Sequence, residues 1–246
     1  MKIKTEFKGT PIVPKNIKFP QIGMLQGDFG KEVLAEYKGR AVKDYANASA
    51  LGVLEYSSGV VKGSNPYAVV LVNQILNENG MRTVTPADLE KALQAGFNLS
   101  GTYEDSALVL RSKDEPNSYL AKNLADQIGL RQKVKYPIMI PLNGFELITD
   151  PHAPQGLAFK LRDDAEIIYA PILNKQGNFT SENIDLRTGL PKKVGEGNRF
   201  LYARNSGLSG LYLDRILYLG SDDWDLAYSD SGGRVCVVED IKGELR

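Results

Sequence analysis

Along the first part of the chain, to about Gly129, apolar residues recur every three or four positions between helix start and stop signals. In NPYAVVLVNQILNENG, Asn65 suits an N-cap, Pro66 the first helical position and Gly80 a left-handed stop. TPADLEKALQAG repeats that punctuation with Thr85, Pro86 and Gly96, and Leu89 and Leu93 fall one turn apart on a single face. A third helix is predicted from about Asn117 to Ile128, where Leu120, Leu124 and Ile128 share a face and Gly129 ends it. Just before it, ALVLRS (Ala107 to Ser112) reads as a short strand. From Lys133 onward the rhythm changes. YPIMIPL, GLAFKL and AEIIYAPIL are short apolar runs bounded by Pro, Gly or Asp, followed by a polar loop through NKQGNFTSENIDLRTGLPKK. There is no internal repeat and no clean linker. Residues 1–246 are therefore expected to form a single α+β unit, with helices in the N-terminal half and short antiparallel strands and loops in the C-terminal half.

Near the C-terminus the period drops to two. Leu211, Leu213, Leu217 and Leu219 share one parity, and Tyr212, Asp214, Ile216, Tyr218 and Gly220 share the other. In an extended chain alternate side chains point to opposite faces, so the leucines are expected to enter a core and the second set to face outward. Arg215 interrupts the series and marks a turn or bulge. Beyond Leu219 the chain reads GSDDWDLAYSDSGGRVCVVE, an acidic Ser- and Gly-rich loop before a terminal strand, with Trp224, Leu226 and Ala227 as expected anchors.

Composition sharpens this reading. Outside Gly197 to Val238 roughly one residue in five is Lys, Glu, Gln or Met, and inside it there is none. Leu and Val thread the segment, which distinguishes it from a disordered tract. An ordinary surface hairpin accounts for the alternation, but such a hairpin tolerates Lys and Glu. Tyr, Ser, Gly, Asn and Asp are also what adaptable binding loops use. Tyr gives a large amphipathic contact at low entropic cost, and the small polar residues give flexible hydrogen bonding.

The remaining composition mostly excludes. Thirty basic and thirty acidic residues cancel, and no run of Lys or Arg stands out, so no nucleic-acid partner is expected. MKIKTEFKGT has no apolar stretch behind its lysines. The expectation is no Sec-type signal peptide and a cytoplasmic protein by default, unless a different export route serves it. No segment is long and apolar enough to suggest membrane insertion. The only cysteine, Cys236, lies in VCVV and reads as a buried, inert strand residue. The only histidine, His152, sits between prolines in TDPHAPQG and reads as a surface loop. A zinc site of the usual kind cannot be assembled from one of each, and no nucleophile-elbow pattern accompanies His152. The expectation is no catalytic residues, no metal and no cofactor.

RNSGLSGLYLDRILYLGSDDWDLAYSDSGGRVCVV resembles the variable region of target proteins of diversity-generating retroelements, most closely those of archaea. In that family a reverse transcriptase corrupts template adenines, so AAC or AAT codons become any codon ending in C or T. Such codons cannot encode Lys, Glu, Gln, Met or Trp, which matches the missing residues and makes Trp224 part of the constant scaffold. The resemblance covers the last fifth of the chain and implies a C-type-lectin-like fold related to formylglycine-generating enzymes. It implies a non-enzymatic protein whose hypervariable region, about 205–236, binds a protein or glycan ligand, including one on another cell's surface. Carried over, the ligand-binding variable positions are Ser209, Tyr212, Asp214, Ile216, Tyr218, Gly220, Asp222, Asp223, Asp225, Tyr228, Asp230 and Gly233. Leu211, Leu213, Leu217, Leu219, Trp224, Leu226 and Arg234 are then scaffold, and Asn205 and Ser206 fit either set.

The rival readings each carry a discriminating feature. An enzyme of the formylglycine-generating type needs cysteine and metal chemistry, which one cysteine in an apolar strand does not supply. A calcium-dependent lectin is suggested by Glu115-Pro116-Asn117, a sugar-binding triplet, and by Asp222, Asp223 and Asp225 as cation ligands. The triplet, however, lies over a hundred residues from the acidic loop, ahead of a helix. A plain structural or assembly domain predicts no hypervariability.

Overall fold

A computed structural model describes residues 21–239. The MKIKTEFKGT segment, on which the expectation about export rests, lies outside them. The chain begins with β1 (Gln21–Met24), α1 (Gly27–Asp44), the hairpin β2 (Glu55–Ser57) and β3 (Val60–Lys62), α2 (Pro66–Asn77) and β4 (Met81–Thr83). Next come α3 (Pro86–Gln94), β5 (Glu104–Leu110), α4 (Ser118–Gly129), β6 (Ile138–Pro141), and the hairpin β7 (Phe145–Thr149) and β8 (Leu157–Leu161). After β9 (Ile168–Tyr169) and β10 (Gly177–Phe179), a small pair forms from β11 (Ile184–Asp185) and β12 (Leu190–Pro191). The last strands are β13 (Arg199–Ala203), β14 (Leu208–Leu213), β15 (Leu219–Ser221) and β16 (Cys236–Glu239). The architecture is α+β, and every α-helix among the described residues precedes Leu130.

The punctuated helices form where their caps place them. Asn65 Oδ1 accepts the Ala68 amide at 2.8 Å, and Thr85 and Asp88 close a reciprocal capping box with Pro86 at the start of α3. Helix α2 is apolar over most of its surface and is buried from Pro66 to Leu76 except at Gln74. The longest helix, α1, carries no such signal. Gln26 makes no side-chain cap bond, and Val33, Leu34, Tyr37 and Ala41 form a narrow stripe among charged residues. Tertiary packing stabilises α1, with Tyr37 donating to the Leu51 carbonyl at 2.8 Å.

The main sheet has the order β10-β13-β15-β14-β5-β6-β9. Its pairs are antiparallel except β13–β15, which run parallel because the β14–β15 hairpin inserts its second strand beside β13. The expectation of antiparallel strands is corrected at that one pair. Strands β5 and β6 are buried on both faces. Leu108, Leu110, Ile138 and Ile140 meet α1, α2, α4 and the β7–β8 hairpin, while Ala107, Val109 and Met139 meet α3, Phe179, Leu201 and Cys236. Cys236 is buried in β16 between β1 and β4, and burial raises its thiol pKa well above the ordinary value. His152 is exposed in the turn between β7 and β8. The loop after Asn174 contains β10 and the β11–β12 pair, which its polar composition concealed. No helix among the described residues is long and apolar enough to cross a membrane.

Candidate functional site

Strand β14 pairs with β5 from Leu208↔Leu110 to Leu213↔Glu104, with a register shift between Leu211 and Tyr212. Leu211, Leu213 and Leu219 are buried with Ala107, Val109 and Met139 in a second core, on the α3 side of β5, as the parity predicts. The hairpin then turns over 214–218. Asp214 Oδ1 accepts the amides of Ile216 and Tyr218, each at 2.8 Å, and the Leu217 amide donates to the Asp214 carbonyl at 2.9 Å. Arg215 lies in this turn, as expected. Leu217 is a correction. The turn holds it at φ 67°, in the left-handed region that non-glycine residues seldom occupy, and leaves it only partly buried. Arg199 Nε donates to the Leu217 carbonyl at 2.6 Å while its guanidinium forms a buried fork to Glu90 of α3 at 2.6 and 2.7 Å.

The acidic loop is held chiefly by its main chain. Asn117 Nδ2 donates to the carbonyls of Leu208 at 2.9 Å and Trp224 at 2.8 Å, joining β14 to the loop. Asn65 Nδ2 donates to Ala50 at 2.9 Å and Ala227 at 3.1 Å. The Tyr103 hydroxyl donates to the Ser64 carbonyl and accepts the Asp230 amide at 3.0 Å. Within the loop, Asp223, Asp225 and Asp230 each accept an amide two residues on, a series of Asx turns. Leu226 is buried beneath it.

Between this loop, the hairpin turn and β5 lies an open cavity of about 440 Å³. Seven of the predicted variable positions line it: Tyr212, Asp214, Ile216, Asp223, Asp225, Tyr228 and Asp230. Pro66, Tyr103 and Asp105 complete it from parts of the chain distant in sequence. Pro66 reads only as a helix start, no motif marks Tyr103 or Asp105, and only the β5–β14 register brings Asp105 opposite Tyr212.

Electrostatically the cavity is asymmetric. Five aspartates, at 105, 214, 223, 225 and 230, face a single cation, Arg215. Burial pushes the Asp105 carboxyl up to about 7, against the hydrogen bond from Ser64 and with the Asp223 charge adding to the rise. Burial also raises Asp223. Asp230 goes the other way. Burial opposes its ionisation, but the Gly232 amide, Arg215 and Tyr228 outweigh that and hold it low. On the opposite face of β5, Glu104 is fully buried. Its Oε1 accepts from Thr102 at 2.6 Å, its Oε2 has no partner, and burial lifts its pKa to about 8.

The other predicted positions lie elsewhere. Ser209, carried over as a ligand-binding position, is a correction: it shares the leucine parity and is fully buried away from the cavity, accepting from Arg111 at 2.8 Å and donating to the Ser221 carbonyl at 2.8 Å. Arg111, whose burial lowers its pKa to about 10, bonds there only to neutral oxygens. Gly220 has the outward parity but is covered by the Tyr212 ring. Gly233 is buried, and a β-carbon there would lie 2.5 Å from the Ser64 nitrogen. Tyr218 sits outside the cavity with Phe200 and Tyr202, at ring separations of 6.3 and 6.2 Å. Asp222 also lies outside it, with one buried oxygen unpartnered. Trp224, expected as an anchor, is 58% exposed; its carbonyl, not its ring, is the fixed point. Ala227 is partly buried.

The lectin triplet is used structurally. Glu115 caps Ser118, and Asn117 makes the two clamps described above. Among the described residues no group of three or more His, Cys, Asp or Glu side chains is placed to hold a metal ion. Comparison with protein families, with characterised proteins and with solved structures gave no match to this chain.

Proposed function

We propose that this chain is a non-enzymatic ligand-binding protein whose cavity is a hypervariable surface diversified by a retroelement, carried on a C-type-lectin-like scaffold. One observation carries the reading. Seven positions singled out from the variable-region resemblance converge on one cavity although they span hairpin, turn and loop. The way the loop is held supports it. Asn65 and Asn117 grip the carbonyls of Ala227 and Trp224, contacts that survive any change of side chain at those points. Neither Cys236 nor His152 lines the cavity. The aspartate Asx turns set a limit, because Asn and Ser can replace them and large apolar residues cannot.

A displayed library tests this. Randomising Tyr212, Ile216 and Tyr228 with codons ending in C or T, with Asp225 varied among Asp, Asn and Ser, should leave most members folded and should yield binders to unrelated protein baits. Randomising Leu211, Leu213 and Leu219 in the same way should leave few folded. Equal losses in both libraries, or no binders from the first, would overturn the proposal.

A further inference from the structure

We infer that the cavity, in the form carried by this chain, takes the arginine side chain of a protein partner; the inference rests on the proposed binding role and adds the ligand's chemical class. The cavity already displays this recognition on a residue of its own. The Arg215 guanidinium lies 6.0 Å from the Tyr103 ring centre and pairs with Asp230. Gly232 makes room for it, since a β-carbon there would lie 2.5 Å from Arg215 Nη2. A planar cation against a tyrosine face with a carboxylate at its edge is the arrangement arginine favours over lysine.

The rest of the cavity repeats those elements without an occupant's charge to meet them. Tyr212 and Tyr228 supply two more aromatic rings, and Pro66, Ile216 and Leu226 supply an apolar bed for a methylene stem. The Tyr212 hydroxyl has no hydrogen-bond partner among the described residues, although the charges of Asp222, Asp223, Asp214 and Asp105 bear on it. Asp214, Asp223 and Asp225 each spend Oδ1 on backbone amides, and Oδ2 of each accepts no donor among the described residues. Those oxygens favour a donor-rich cation over a neutral sugar. The volume, about 440 Å³, suits a side chain with part of its backbone. The chain's overall neutrality hides this local imbalance of five carboxylates against one guanidinium.

Calorimetric titration of the full chain with N-acetyl-arginine amide tests the inference, with N-acetyl-citrulline amide as its neutral isostere and a methyl glycoside as the sugar control. The arginine probe should bind saturably and weaken with added salt. The citrulline probe should bind about tenfold or more weakly than it. The double variant Asp223→Asn, Asp225→Asn keeps the Oδ1 acceptors of the Asx turns, so it should retain the melting temperature yet lose about tenfold in affinity. Arg215→Ala should tighten binding by releasing Asp230 and Tyr103. Equal binding of the arginine and citrulline probes, no binding of either, or preference for the glycoside would overturn it. If the arginine probe fails while the display library still yields binders, the ligand class falls and the binding-site reading stands. If the library also yields no binders, both fall.

Discussion

The ring of Tyr212 covers the backbone of Gly220, its cross-strand partner, so that a β-carbon at 220 would overlap the ring. These two positions of the proposed variable set are therefore coupled, and size at one limits size at the other. Gly220→Val should cost about 1–3 kcal/mol by overpacking. Adding Tyr212→Ser should recover most of that loss, giving a favourable interaction energy in a double-mutant cycle read by urea melts. Strict additivity would show that the ring moves aside freely.

The two sides of the hairpin should separate in stability. Leu211→Ala, Leu213→Ala and Leu219→Ala empty the second core and should each cost about 2–5 kcal/mol. Ile216→Ala and Tyr228→Ala, both on exposed side chains, should stay within about 0.5 kcal/mol. Asp214→Ala removes the acceptor of two amides in the turn, so about 1–2 kcal/mol is expected. Comparable losses on both sides would contradict the alternating faces.

Much of this was legible in the chain because local chemistry decided it. Asn65-Pro66 and Thr85-Pro86 started helices where caps are expected, and the 211–213 alternation survived because β14 is a true strand. Helix α1 was not legible, since Gln26 is not a capping residue and its stability comes from distant packing. Parity failed where the backbone turns, at Leu217, whereas at Ser209 parity held and the position carried over from the resemblance lies on the core face. Tyr103 and Asp105 join the cavity only through strand pairing across about a hundred residues, for which no sequence pattern exists. Asn117 read as the start of a helix, which it is, and in the rival reading as part of a lectin triplet, whereas its side-chain amide ties two main-chain segments together.

Stability should depend on pH through Glu104. Burial raises its pKa from 4.5 to about 8, so in that window the folded chain holds a proton the unfolded chain has released. Stability is then lost as pH rises from 4.5 towards 8, and Asp105, raised from 3.8 to about 7, adds a change of the same sign. Glu104→Gln keeps the shape without the charge. Urea melts should show it more stable than the parent at the alkaline end of that window, by on the order of a few kcal/mol, with a flatter dependence below it. An unchanged slope would place the titration elsewhere.

The most direct test of the central claim is to sequence the gene's surroundings. If the cavity is diversified, a near-copy of the segment should lie close by, beside a reverse-transcriptase gene. Its AAC or AAT codons should fall at Tyr212, Asp214, Ile216, Asp223, Asp225, Tyr228 and Asp230, the positions that line the cavity. They should spare Leu211, Leu213, Leu219 and Leu226, whose side chains are buried and whose loss the fold cannot absorb. Tyr and Asp codons always end in C or T, so the informative codon within the gene itself is that of Ile216. No such copy, or one whose adenines fall mainly on the buried leucines, would contradict the account.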